Sequence, residues 1–146
     1  MTKLNKALSI FLILAIVITS GFIIYMSTTP KKGEKFTEFY ILNTEGKIQD
    51  YPEQVSLGTP VEMFVGVVNH EHQLTSYRVE IKMDGTEVDK INTGMLFHQQ
   101  KWEQKISFTP QLVGERQRVD FYLYKNSETE SYLKEPLRLY INVISP

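Results

Sequence analysis

Tyr77-Arg78-Val79-Glu80-Ile81-Lys82-Met83 alternates apolar and charged residues without a break and runs directly into Asp84-Gly85. In an extended strand successive side chains point to opposite faces of the sheet. The spacing therefore predicts Tyr77, Val79, Ile81 and Met83 toward a core, and Arg78, Glu80 and Lys82 toward water. Asp-Gly suits the positive backbone angles of a two-residue hairpin turn, so a second strand is expected over Glu87 to Ile91.

The same period-two reading extends in both directions. Upstream, Phe36 to Leu42 forms a strand closed by Asn43-Thr44-Glu45-Gly46, and Lys47 to Tyr51 a short piece ending at Pro52. Gly58-Thr59-Pro60 then leads into Val61 to Asn69, apolar on both faces as a central strand requires. Downstream, three inward sets follow: Trp102, Gln104, Ile106 and Phe108; then Val119, Phe121 and Leu123; then Leu137, Leu139, Ile141 and Val143. Seven or eight strands separated by turn residues predict an all-β fold, an Ig-like antiparallel β-sandwich over residues 36–146, with Trp102 filling its core.

The N-terminus is of another kind. Residues 1–6 form a short basic tail, and Ala7 to Met26, ALSIFLILAIVITSGFIIYM, carry no charge. A helix rising about 1.5 Å per residue over this stretch matches the roughly 30 Å hydrocarbon core of a bilayer. A cleaved signal peptide is the rival reading. It calls for an apolar core of about 7–15 residues followed by small residues. Here the apolar run resumes at Phe22 after Thr19-Ser20-Gly21, which favours a retained transmembrane helix. Residues 27–35 read as a polar linker with Pro30 and Gly33. Lys3 and Lys6 precede the helix, and Lys31, Lys32 and Lys35 follow it, nearly balancing the positive-inside rule. A short basic tail before a first hydrophobic segment favours a cytoplasmic N-terminus and an extracytoplasmic C-terminal domain in the cell membrane.

Removing Lys3 and Lys6 from the 16 basic residues leaves 14 against 17 acidic, so the region after the anchor carries about −3. That argues against a nucleic-acid partner, which wants a basic face. There is no cysteine, so no disulfide can support the sandwich and its core must suffice. No asparagine begins an N-x-S/T sequon.

Several short features recur together: Phe39-Tyr40 with the Gly46 turn, Tyr51-Pro52, Gly58 before the central strand, Asn69-His70-Glu71 at its end, then Tyr77 and Phe121 to Tyr124. The combination resembles the ectodomain of an archaeal predicted membrane-protein family known as domain of unknown function 1616, over about residues 36–144. The resemblance implies a β-sandwich attached to a membrane and carries no activity with it. Members of that family place several membrane helices before this domain, where this chain has one.

For site chemistry, His70 and His72 would point the same way if the strand continued through them, with His98 as a third ligand from another loop. That is a spacing a metal site on a strand can use. The competing reading is a polar strand end with solvated histidines, and no metal or other cofactor is assigned. No G-x-S-x-G or Gly-rich phosphate loop occurs, so no enzyme activity is expected. Strand parity instead places Tyr122, Tyr124, Tyr140, Arg138 and Arg78 on one outward sheet face. Tyrosine and arginine are enriched at protein contacts. The expected partners are the bilayer, through the helix, and a protein or second copy, through this face. The expected role is a non-catalytic interaction or structural domain of a cell envelope or membrane complex. A ligand- or carbohydrate-binding module is the alternative.

Overall fold

The structure is a computed structural model that describes residues 2–28 and 33–146. It divides into an N-terminal helical unit ending at Gly33 and a β unit, Glu34–Pro146. The helix α1 spans Lys3–Thr28, and its most apolar 18-residue stretch has a mean hydropathy of 2.7 with none of its residues buried. At 26 residues it is about 39 Å long, enough to cross a bilayer. A signal sequence meets the same description. The hydroxyls of Ser9, Thr19 and Ser27 donate back to the carbonyls of Asn5, Ala15 and Ile23 at 2.7–2.9 Å, so these polar side chains are satisfied within the helix. The uncharged stretch Ala7 to Met26 is thus the middle of a helix that also takes in Lys3 and Lys6. Pro30, Lys31 and Lys32 of the expected linker lie outside the described residues.

The β unit contains eight strands: β1 Phe36–Leu42, β2 Gln54–Ser56, β3 Val61–His70, β4 Thr75–Met83, β5 Thr86–Leu96, β6 Lys101–Phe108, β7 Gly114–Lys125 and β8 Leu137–Ile144. They form a three-stranded sheet in the order β1-β3-β6 and a five-stranded sheet in the order β2-β8-β7-β4-β5. Every neighbouring pair is antiparallel except β2 with β8, which run parallel.

The core lies between the inner faces of the sheets. β4 buries every second residue from Thr75 to Met83, as its alternation predicts, and Val79 and Ile81 are fully enclosed. They meet Val119, Phe121 and Leu123 of β7, also fully enclosed, and Met63, Val65 and Val67 of the central strand β3. Ile141 and Val143 of β8 complete that wall.

Three local expectations are corrected. Residues 47–51 form no strand, because the Asn43 side chain takes over the loop: its Oδ1 accepts the amides of Glu45 and Lys47, and its Nδ2 donates to the Gln49 carbonyl. The short second strand falls instead at Gln54–Ser56. Trp102 is only half-buried and Gln104 is exposed, because β6 is an edge strand with one flank uncovered. β5 continues five residues beyond Ile91, as far as Leu96.

Gly66, at the centre of β3, is required by a close approach. The Tyr40 ring crosses it so that the hydroxyl donates to Glu103 Oε2 at 2.8 Å, and a Cβ there would lie 2.1 Å from a ring carbon. Gly66→Ala must displace the ring and should cost about 1–3 kcal/mol in urea denaturation, but much less in a Tyr40→Ala background. Additive costs would show that the ring is not the obstacle. Phe121→Ala should cost about 3–5 kcal/mol by opening a core cavity.

Candidate functional site

The outer face of the five-stranded sheet follows from the burial just described. With Val79, Ile81, Phe121 and Leu123 turned inward, their neighbours in sequence turn outward. Register then sets Arg78 opposite Tyr124, Glu80 opposite Tyr122, Asp120 opposite Arg138 and Arg118 opposite Tyr140. Arg78, Tyr122, Tyr124, Arg138 and Tyr140, expected together from parity, do share this face.

The side chains form a ladder. The Arg78 guanidinium lies 4.4 Å from the centre of the Tyr124 ring, Lys82 Nζ 5.1 Å from that of Tyr122, and the Arg116 guanidinium 4.9 Å from that of Tyr140. Such cation–π contacts favour the flat, delocalised guanidinium. Between the rungs, the carboxylate of Asp120 is completely enclosed although it belongs to the outward face. Arg138 Nε donates to its Oδ1 at 2.7 Å, and Arg118 Nε lies 2.8 Å from Oδ2, as an ion pair without hydrogen-bond alignment. Glu80 is likewise shared, between Arg78 at 3.7 Å and Lys90 at 3.8 Å. The three tyrosines are therefore not equivalent. Tyr124 is buried beneath Arg78, Tyr122 is half-buried, and Tyr140 is 47% exposed. Burial, then the Glu80 carboxylate, pushes the Tyr124 phenol above its ordinary pKa and keeps it neutral. Asp120 and Glu80 were not singled out in the sequence. Their signal was an acidic residue directly across strands from a basic one.

The three histidines gather at one end of the three-stranded sheet, but not along a strand. β3 stops at His70 because the Asn69 side chain caps it: Oδ1 accepts the Glu71 amide, while Nδ2 donates to the carbonyls of Gln73 and Leu96 at 2.8 Å. His72 then takes a left-handed backbone conformation, φ 60°, so His70 and His72 do not project as strand neighbours. The rings stack instead. Phe36 lies on His70 at 4.5 Å, His98 meets His70 edge-on at 6.3 Å, and His72 lies on His98 at 4.3 Å. His98 Nδ1 accepts the His72 backbone amide at 3.1 Å. Among the described residues no three His, Cys, Asp or Glu side chains are placed to hold a metal ion. Glu71, read in the sequence as part of a polar strand end, instead turns into the protein to accept the Thr37 hydroxyl at 2.8 Å and pair with Lys125 at 3.3 Å.

A recess of about 280 Å³ between β1 and β8 is lined by Phe39, Ile41, Ile48, Tyr51, Leu137 and Leu139, together with Tyr40 and Arg138. Its lining offers no carboxylate, thiol or imidazole.

Residues 30–143 match the family described as Domain of unknown function (DUF1616). The chain belongs to the DUF1616 family. No curated protein matches it. Among solved structures, the CARDB domain of a Pyrococcus furiosus protein, crystallised in complex with di-metal ions, is similar at 14% identity with a TM-score of 0.56. That likeness covers 78% of this chain and 99% of the other. A β-glucosidase from Listeria innocua in complex with glucose is similar at 10% identity and a TM-score of 0.50, over 76% of this chain but only 16% of the enzyme. At these identities the likenesses show the fold: an Ig-like, CARDB-type β-sandwich.

Loss of contact with water, then His72 and His70, hold the His98 imidazole below its ordinary pKa. The native state thus binds fewer protons than the unfolded chain between that lowered value and about 6.5, and stability should fall as pH drops through this window. Thermal melts from pH 7.5 to 5 should show the loss, and His98→Gln, which accepts the same amide without titrating, should reduce it. An identical pH profile in the variant would contradict this account.

Proposed function

We propose that this DUF1616 chain is a membrane-anchored, non-catalytic interaction module. In this reading α1 spans the cell membrane with its N-terminus cytoplasmic. The sandwich stands outside and presents the outer face of the five-stranded sheet to a protein of the cell envelope or of a membrane complex. One observation carries the reading: Arg78, Arg116, Arg118 and Arg138, all the arginines of the chain, lie on that face with Tyr122, Tyr124 and Tyr140. Arginine and tyrosine are the residue types that dominate contact energetics. Each of the three rings carries a cation, and only Tyr140 keeps much exposed surface, so no row of open rings is offered for a sugar to stack on, which favours a protein over a carbohydrate.

Two experiments test the parts separately. Because the chain has no cysteine, Ser127→Cys, at an exposed position, gives one reporter thiol. A membrane-impermeant maleimide should label it in intact cells; labelling only after lysis would reverse the orientation. A photoreactive phenylalanine replacing Tyr140 should form protein adducts in membranes, and the same residue replacing Lys105 on the opposite sheet should not. Equal yields from both positions, or none, would remove this face as the contact surface.

A further inference from the structure

The charge on the ladder indicates what kind of partner fits it. The residues from 34 onward carry 17 acidic side chains, whereas Lys3, Lys6, Lys31 and Lys32 account for four of the chain's 16 basic ones, so the β unit as a whole is net negative. The outer face runs against that sign. Its internal carboxylates are outnumbered: Asp120 is shared by Arg118 and Arg138, and Glu80 by Arg78 and Lys90. Each shared carboxylate neutralises one of two cations and leaves the other in surplus. Lys82 adds a further charge above Tyr122, with Glu87 opposite it on β5. Arg116, exposed above Tyr140, is in no ion pair among the described residues.

The cation–π contacts also prepare these groups for carboxylates. The Arg78 and Arg116 guanidiniums are held 4.4 and 4.9 Å from ring centres, and the N–H fork of a guanidinium is what a carboxylate meets with two hydrogen bonds. The ring holds the side chain in place, so less rotamer freedom is lost on binding. A long polyanion would want an uninterrupted basic stripe. Here Glu80, Glu87 and Asp120 break the stripe up, and the half-exposed Tyr140 adds apolar surface. A surplus of cations, interspersed carboxylates and an exposed tyrosine together match a protein contact of mixed polarity.

We propose that the occupant of this face is an acidic protein surface, whose Asp and Glu side chains pair with the cations around Tyr140. The inference rests on the reading of the face as a contact surface and adds the chemistry of what covers it.

The test uses the full chain in its membrane with the photoreactive phenylalanine at position 140, and mass spectrometry of the peptides captured there. Captured peptides should carry more Asp and Glu than Lys and Arg. Raising NaCl from about 0.15 to 0.5 M, which shortens the screening length from about 8 Å to about 4 Å, should lower the yield several-fold. Arg116→Glu should lower it about tenfold, the loss expected when a contact charge is reversed. Arg116 is exposed, so the variant should melt like the parent; if it does not, the parent's salt series and captured peptides decide the question. A second copy captured through its 126–135 segment, which contains Glu128, Glu130 and Glu135, counts as support. Peptides without an acidic excess, together with a yield indifferent to salt and to Arg116→Glu, would overturn the acidic partner while leaving the contact face standing. Adducts only to lipid or glycan, or none, would overturn both.

Discussion

A carboxylate with no exposed surface, on the solvent side of a sheet, is the interaction around which this molecule's outer face is arranged. Asp120 occupies an outward register position between Val119 and Phe121, both fully enclosed in the core, yet it is as enclosed as they are. Burying a charge in this way is tolerable only when opposite charges and hydrogen bonds replace the lost water. Arg138 from the adjacent strand and Arg118 from its own supply them. Around this pair stand the neighbouring rungs: register sets Arg78 over Tyr124 and Lys82 beside Tyr122, and a bulge in β7 brings Arg116 over Tyr140. The ladder is therefore a set of contacts fitted across three strands rather than independent surface side chains.

Much of the fold could be read directly from residue order, for a physical reason. Where one face of a strand meets the core and the other meets water, alternation records both the strand and its register. Tyr77 to Met83 is such a case, Val119 to Leu123 keeps the same alternation of residue types although Asp120 is covered, and the gathering of Arg78, Arg138 and the three tyrosines on one face followed from their parity. Parity says which way a side chain leaves the backbone and nothing about what later covers it. It could not tell Tyr124, buried beneath Arg78, from Tyr140, half of which remains open. Nor could it show that Trp102 sits on an edge strand, where an inward position is only half covered.

The other discrepancies come from side chains that bond to the backbone. Asn43 takes up the Lys47 amide and the Gln49 carbonyl that a strand at 47–51 would have offered to a neighbour, and so holds that segment as a loop. Asn69 does the same at the end of β3, turning the chain before His72 and leaving His70 as the last strand residue. The three histidines still meet, but through loops, with ring faces stacked and with the His98 nitrogen accepting a backbone amide. Such outcomes depend on where a distant loop returns, and local spacing does not record that.

The central claim is that Asp120 organises the outer face, and replacing it tests this most directly. Chemical denaturation of Asp120→Ala beside the parent should show a loss of about 1–3 kcal/mol, the usual cost of leaving charged hydrogen-bonding groups without their buried partner. The cost stays within that range because Arg118 and Arg138, with 42% and 38% of their side-chain surfaces exposed, can regain water. A change within about 0.5 kcal/mol, typical of an ordinary surface substitution, would contradict the account and reduce the ladder to a row of unrelated surface charges.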